Sequence, residues 1–416
     1  MSVGTTKGAL EAGVNLALAG SYSGAVLSQP PAEIWDLVLD HLHNDRATLT
    51  QCALVCKDWT HRSQHHLFTR LTYHYRTTGS PRDFAEFLLT RPNIAGHVLS
   101  LEILDRMSLS LGIVRLIILA LPHLRTLLFR AAMISSADDV DIALGQRPPP
   151  RTEAIKKLTF MNCMAACDTL YSILGIFPAI GTLVLDDRCG GLIHCQPASP
   201  AIRDLAIERI ETSSVSNSLL TTLVHGSRMK ETITSAKIIA IGKESDTPEE
   251  LGEVLQSMTS LRTLQLLPLG LDLTSGSNST RSFWDRLGLA RLKSLEVLEL
   301  PLVLFNSCNL LDLCIGLNYW NGAVPHLPPS LQQLHLAMHA FPRDPVTDSE
   351  EEMAGFWADH GMDEPLSNLP PHIRIKIKLD IMFGMQPPVQ ERDAVKAFMY
   401  KCLPEMAQSG RLAVFE

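Results

Sequence analysis

The chain is short of positive charge: 36 Lys and Arg face 44 Asp and Glu, a formal net charge of −8. That balance argues against broad, nonspecific binding to a phosphate backbone and leaves room only for a local basic patch. Long apolar runs are also missing. The run from Leu109 to Leu121 carries Arg115 and is too short to span a bilayer. Residues 9–27 are fairly apolar, but Glu11 and Asn15 interrupt them and Gly and Ser are frequent. A flexible leader over 1–27 and no membrane segment are expected. No GxGxxG, GxxxxGK[ST] or GxSxG motif occurs, so no phosphate loop or nucleophile elbow is marked. No enzyme activity and no cofactor are expected.

The nine cysteines are an odd number in a long chain. Disulfide frameworks belong to short secreted chains, so mostly buried thiols in a reducing compartment, cytoplasmic or nuclear, are expected. Cys163 and Cys167, Cys189 and Cys195, and Cys308 and Cys314 form pairs of unsuited spacing and read as structural thiols. The sequon Asn278-Ser279-Thr280 is a pattern expected by chance.

What the chain has is apolar content, 46% against 19% charged, over 416 residues. That suffices for two or three domains or for one elongated array. Residues 31–42, PAEIWDLVLDHL, place Ile34, Leu37, Val38 and Leu42 on one helical face, just after Pro30-Pro31. Leu49, Cys52, Cys56 and Trp59 continue at helical spacing, and His65, His66, Leu67 and Phe68 close a small module. A unit of this size is marginal without a partner or neighbour. Cys52 and Cys56 lie near His41, His43, His61, His65 and His66. No second tight Cys or His pair falls at structural-zinc spacing, so packing is expected rather than a metal or redox site.

These residues resemble an F-box. The family pattern is Leu-Pro-x-Glu-Ile, then Leu-x-x-Cys-x-x-Val-Cys-[Lys/Arg]-x-Trp, then a terminal Leu-Phe. Pro31, Glu33, Ile34, Leu49, Cys52, Leu54, Val55, Cys56, Lys57, Trp59, Leu67 and Phe68 match it in order; Pro30 stands at the opening Leu. The Glu-Ile-Trp variant at 33–35 is similar to fungal F-box families. The resemblance implies a substrate-recognition subunit of a cullin-based ubiquitin ligase, with the F-box docked on a Skp-type adaptor. It maps adaptor contacts to Pro31, Ile34, Leu37, Leu42, Leu49, Leu54, Val55 and Trp59.

Beyond residue 70 the spacing apolar-x-x-apolar-x-apolar recurs nine times, its middle residues 22 to 36 positions apart. The triplets are Val98-Leu101-Ile103, Leu124-Leu127-Phe129, Ile155-Leu158-Phe160, Ile180-Leu183-Leu185 and Ile202-Leu205-Ile207. Ile233-Ala236-Ile238, Leu261-Leu264-Leu266, Leu295-Leu298-Leu300 and Leu331-Leu334-Leu336 follow. Each predicts a short strand followed by an apolar return segment, and such units must stack on neighbours to bury a face. The array resembles leucine-rich repeats, although the consensus Asn or Cys is mostly missing. Outward strand positions, from Thr126 and Arg130 to Asp204 and Glu208, imply no single ligand chemistry. Before the array, Ser80 and Pro81 predict a helix start with Phe84, Phe87 and Leu88 buried; Thr247 and Pro248 predict another start.

The rhythm breaks late. Residues 341–365 are acidic and proline-bounded and read as an exposed loop, in which Ser349 with Glu352 fits an acidophilic-kinase pattern. HIRIKIKL, 372–379, alternates strictly and predicts a strand. Its basic stripe suits a solvated edge, a partner for the acidic loop or a grip on an acidic partner. Residues 389–407 predict an amphipathic helix with Val395, Phe398, Met399, Cys402 and Met406 inward.

The expected architecture is therefore α/β. An F-box-like helical module (28–70) and a linker helix (71–96) lead into an irregular leucine-rich-repeat-like solenoid with a parallel sheet (97–340). An acidic insertion (341–371) and a terminal strand with a capping helix (372–416) complete it. The expected partners are a Skp-type adaptor, through it a cullin, and a protein substrate, without nucleic acid or membrane. The alternative is a repeat scaffold without a ligase role.

Overall fold

Apolar triplets become strands, and each strand pairs with the next in chain order. The computed structural model describes residues 31–74, 79–104, 108–136, 153–186, 202–213, 217–225, 227–241, 247–269, 283–303, 322–340, 366, 368–381, 393, 396–397, 400–401 and 403–414. The expected leader, the sequon, Ser349, Pro30 and Cys189, Cys195, Cys308, Cys314 and Cys402 lie outside them. The chain divides into two compact units, residues 1–67 and 68–416.

The first unit holds α1 (Ala32–His41), α2 (Arg46–Val55) and most of α3 (Lys57–Thr69). Asp45 caps α2, its carboxylate accepting from the Thr48 amide at 3.0 Å. Cys56 is extended (φ −157°, ψ 167°) and separates α2 from α3. The helical spacing expected to run from Cys52 through Cys56 to Trp59 is therefore broken. Thr60 closes this corner, donating to the carbonyls of Ala53 (2.8 Å) and Cys56 (2.9 Å). The core consists of Leu39, Leu49 and Cys52, with Leu42, Trp59 and Leu67 packed against it.

The second unit is α/β. Its main sheet has twelve strands, all pairings parallel: β1 (Arg70–His74), β2 (Ser100–Leu104), β4 (Thr126–Arg130), β6 (Ile155–Met161), β8 (Ala179–Leu185) and β9 (Ala206–Ser213). β10 (Ser235–Ile241), β11 (Thr263–Leu269), β12 (Val297–Val303), β13 (Gln333–Ala340), β14 (Arg374–Ile381) and β15 (Leu412–Val414) complete it in that order. A second sheet of β3 (Ser108–Ser110), β5 (Met133–Ser135) and β7 (Met164–Ala165) runs beside its first half. Leu71 stacks on Leu101, Leu101 on Leu127, Leu127 on Leu158, and so along to Ile375 and Leu412. Helices return the chain between strands: α4 (Pro81–Thr90), α5 (Leu111–Ala120), α6 (Cys167–Leu174), α7 (Asn217–His225) and α8 (Pro248–Ser257). Both predicted helix starts form capping boxes, Ser80 with Asp83 and Thr247 with Glu250. On α4 the inward residues are Phe84, Ala85 and Leu88, whereas Phe87 is exposed, so the buried face is rotated from the expected one.

The fifth triplet is misregistered in the sequence reading. Ile180, Leu183 and Leu185 pair with Ile207, Ile210 and Thr212, not with Ile202, Leu205 and Ile207. Thr212 is buried, and its hydroxyl breaks the apolar signature at the third position. The sheet also extends past both ends of the expected array. Residues 70–74, the last residue of the expected helical module and the start of the expected linker helix (71–96), are strand, and β14 is paired on both sides, so its basic stripe is not an edge. Leu366 and Leu369, at the end of the expected acidic insertion, are core residues. The helix expected over 389–407 does not run through: Leu403 (φ −123°, ψ 61°) interrupts it, Pro404–Gln408 starts anew, and β15 follows. Arg411 fastens that last strand, donating to the carbonyls of Leu369, Pro370 and Ile373 at 3.0–3.1 Å.

Cys163, three residues after Phe160, donates from Sγ to the Phe129 carbonyl at 3.3 Å. Burial pushes its thiol up to about 11. Cys167 is disulfide-bonded, so the reading of Cys163 and Cys167 as structural thiols does not hold for Cys167. Among the described residues, no helix is long and apolar enough to cross a membrane.

Candidate functional site

Each unit presents one surface with functional character. In the first unit, α1 is apolar on two sides. Trp35, Leu39 and Leu42 face inward: the Trp35 ring lies 4.9 Å from that of Trp59, and Leu39 is core. Ile34 (48% exposed), Leu37 (56%) and Val38 (43%) lie on another stripe of the same helix, with Pro31 exposed just before it. On α2, Leu49 is fully buried while Leu54 and Val55 are 78% and 63% exposed. The structure thus sorts the eight residues that the resemblance marks as contacts. Leu49 is core; Leu42 and Trp59 pack against it; Pro31, Ile34, Leu37, Leu54 and Val55 are on the surface.

An ion cluster fixes α1 in place. Arg62 donates to both oxygens of Asp40, at 2.6 and 2.5 Å, and His66 Nε2 lies 2.7 Å from Oδ1. The Arg62 guanidinium outweighs the effect of burial and, with His66, brings the Asp40 carboxyl down to about 2. Cys52 is buried, Cys56 is exposed, and both are free thiols. Among the described residues, no group of three or more His, Cys, Asp or Glu is placed to hold a metal.

The second surface is the outward face of the main sheet. Alternation turns the triplet residues inward and their neighbours outward. Glu211, Lys237, Gln265, Glu299, His335 and Lys376 form one outward row on six successive strands. Glu299 is its anchor: Gln265 Nε2 donates to it at 2.7 Å and Lys378 Nζ at 2.5 Å, and His335 Nδ1 lies 3.6 Å away. Burial raises the Glu299 carboxyl, but His335 and Lys378 outweigh it and bring it to about 2. At the other end Arg130 pairs with Glu102 at 3.3 Å. The neighbouring row reads Lys157, Thr182, Arg209, Ser235 and Thr263. Thr126 and Arg130 belong to this face as expected. Asp204 instead lies in the turn before β9, whereas Glu208 is exposed on that strand as expected, together with Arg209, and Glu211 follows in the outward row. Sequence spacing could not find the Glu299–Lys378 pair, because 79 residues separate its members.

Compared with known proteins, the chain matches no family model and no curated protein.

Proposed function

We propose that the chain is the substrate-recognition subunit of a Skp–cullin–F-box type ubiquitin ligase. The first unit docks on a Skp-type adaptor, and the second, read as an irregular leucine-rich-repeat-like solenoid, holds a protein substrate. One observation carries the reading. Large apolar side chains at Ile34, Leu37, Leu54 and Val55 stand exposed on a folded three-helix unit. Each is about half to three-quarters exposed, so burying the remainder in a partner would contribute about 1–2 kcal/mol apiece, and exposed apolar side chains of this size mark an interaction surface. The role needs no bond chemistry from this chain. It holds a substrate lysine near the charged conjugating enzyme and raises its effective concentration.

Co-expression with a Skp-type adaptor, followed by size-exclusion chromatography, tests this. A one-to-one complex is expected, lost in Ile34→Asp/Leu54→Asp without loss of helical circular dichroism. A folded chain that elutes alone would favour a repeat scaffold without a ligase role.

A further inference from the structure

We infer that the outward sheet face around Lys157, Arg209 and Lys237 docks an acidic segment of a substrate protein, its carboxylates or phosphates lying on a row of cationic and hydroxyl donors. The inference rests on the proposed role in substrate recognition and adds the chemistry of the substrate.

Lys157, Thr182, Arg209, Ser235 and Thr263 are register neighbours on β6, β8, β9, β10 and β11. All five side chains donate. Lys157 and Arg209 are exposed, and Lys237 is half-buried on the strand beside Arg209. Most acids on this face are already engaged. Glu102 pairs with Arg130, Glu299 with Lys378, and Asp186 accepts from Ser213 at 2.5 Å. Glu211, in register with Lys237, and Glu208, exposed beside Arg209 on β9, remain, two acids against the three cations. Among the described residues, Lys157, Arg209 and Lys237 make no ion pair within 4 Å, so positive charge is left over on one face of a chain whose net charge is −8.

Strands lie about 4.8 Å apart, so Lys157 and Arg209, two strands apart, are separated by about 10 Å at the backbone, the span of about three residues of extended chain. A short peptide with spaced acids fits that interval. A nucleic acid would instead bring a long uniform negative charge against an acidic molecule, which opposes its approach.

The test measures fluorescence anisotropy of labelled ten-residue peptides with the full chain: one rich in Glu, one carrying phosphoserines, one with Gln in their place. Both acidic peptides are expected to bind and the Gln peptide not to. Equal binding of the two assigns carboxylates, and tighter phosphopeptide binding assigns phosphate. Lys157→Ala/Arg209→Ala should weaken binding by about tenfold or more, while Ser235→Lys, which adds a cation to the row, should tighten it. Unchanged binding in both variants, equal binding of the Gln peptide, no binding at all, or single-stranded RNA of the same length displacing the peptides would each overturn the inference. Ile34→Asp/Leu54→Asp serves as the cross-check and should bind peptide like wild type. Adaptor binding without peptide binding overturns this inference alone. Peptide binding without adaptor binding overturns the ligase reading alone.

Discussion

At the residue scale, neighbouring apolar side chains on one helix have opposite duties. Leu49 is fully buried and Leu54, five residues on, is largely exposed. Their sequence contexts do not separate them, because both fit helical spacing and both match the family pattern. Leu49→Ala should cost about 2–5 kcal/mol and, in a core of three fully packed residues, should abolish the helical signal of the first unit. Circular dichroism and urea unfolding would show this; an unchanged transition would contradict the assigned core. Glu299 offers a second test. Its carboxyl sits at about 2, below the ordinary value of about 4.3. A lowered carboxyl stabilises the fold above its unfolded value, and that contribution is lost as pH falls through the folded one. Glu299→Gln should therefore destabilise by about 1–3 kcal/mol at pH 7. The gap to wild type should close between about pH 4.3 and 2. A gap independent of pH in urea unfolding would sink this assignment.

At the element scale, periodicity exposed most of the sheet. The triplets reach the expected register wherever all three inward positions are apolar, as in Leu261-Leu264-Leu266. The fifth fails because Thr212 fills the third position while Ile202 and Leu205, buried ahead of the strand, imitate a triplet five residues early. The sheet's ends were hidden for another reason: β1 is a strand of five residues running straight on from α3, and β15 has only three. Close backbone approach was also invisible in the sequence. A Cβ on Gly252, inside α8, would run into the Leu287 carbonyl oxygen, in the neighbouring helical turn at 283–287. Gly252→Ala must push backbone against backbone and should cost about 1–3 kcal/mol. A lowered thermal midpoint is the expected result; an unaltered one would show that the two helices are free to separate.

At the scale of the whole molecule, the sequence made the α/β class and the stacked parallel strands legible, since both follow from an apolar strand pattern recurring every 22 to 36 residues. The candidate surfaces were less legible. Which apolar residues stay exposed, and which charges meet across 79 residues, depend on packing between distant segments. The central claim is that the apolar stripe of the first unit is an adaptor-docking surface. Isothermal titration of a purified Skp-type adaptor into the full chain tests it most directly, with Ile34→Asp/Leu54→Asp run alongside. Saturable one-to-one binding by the wild type, lost in a variant that keeps its circular dichroism, is the expected result. Equal binding by both proteins, or none by the wild type, would contradict it.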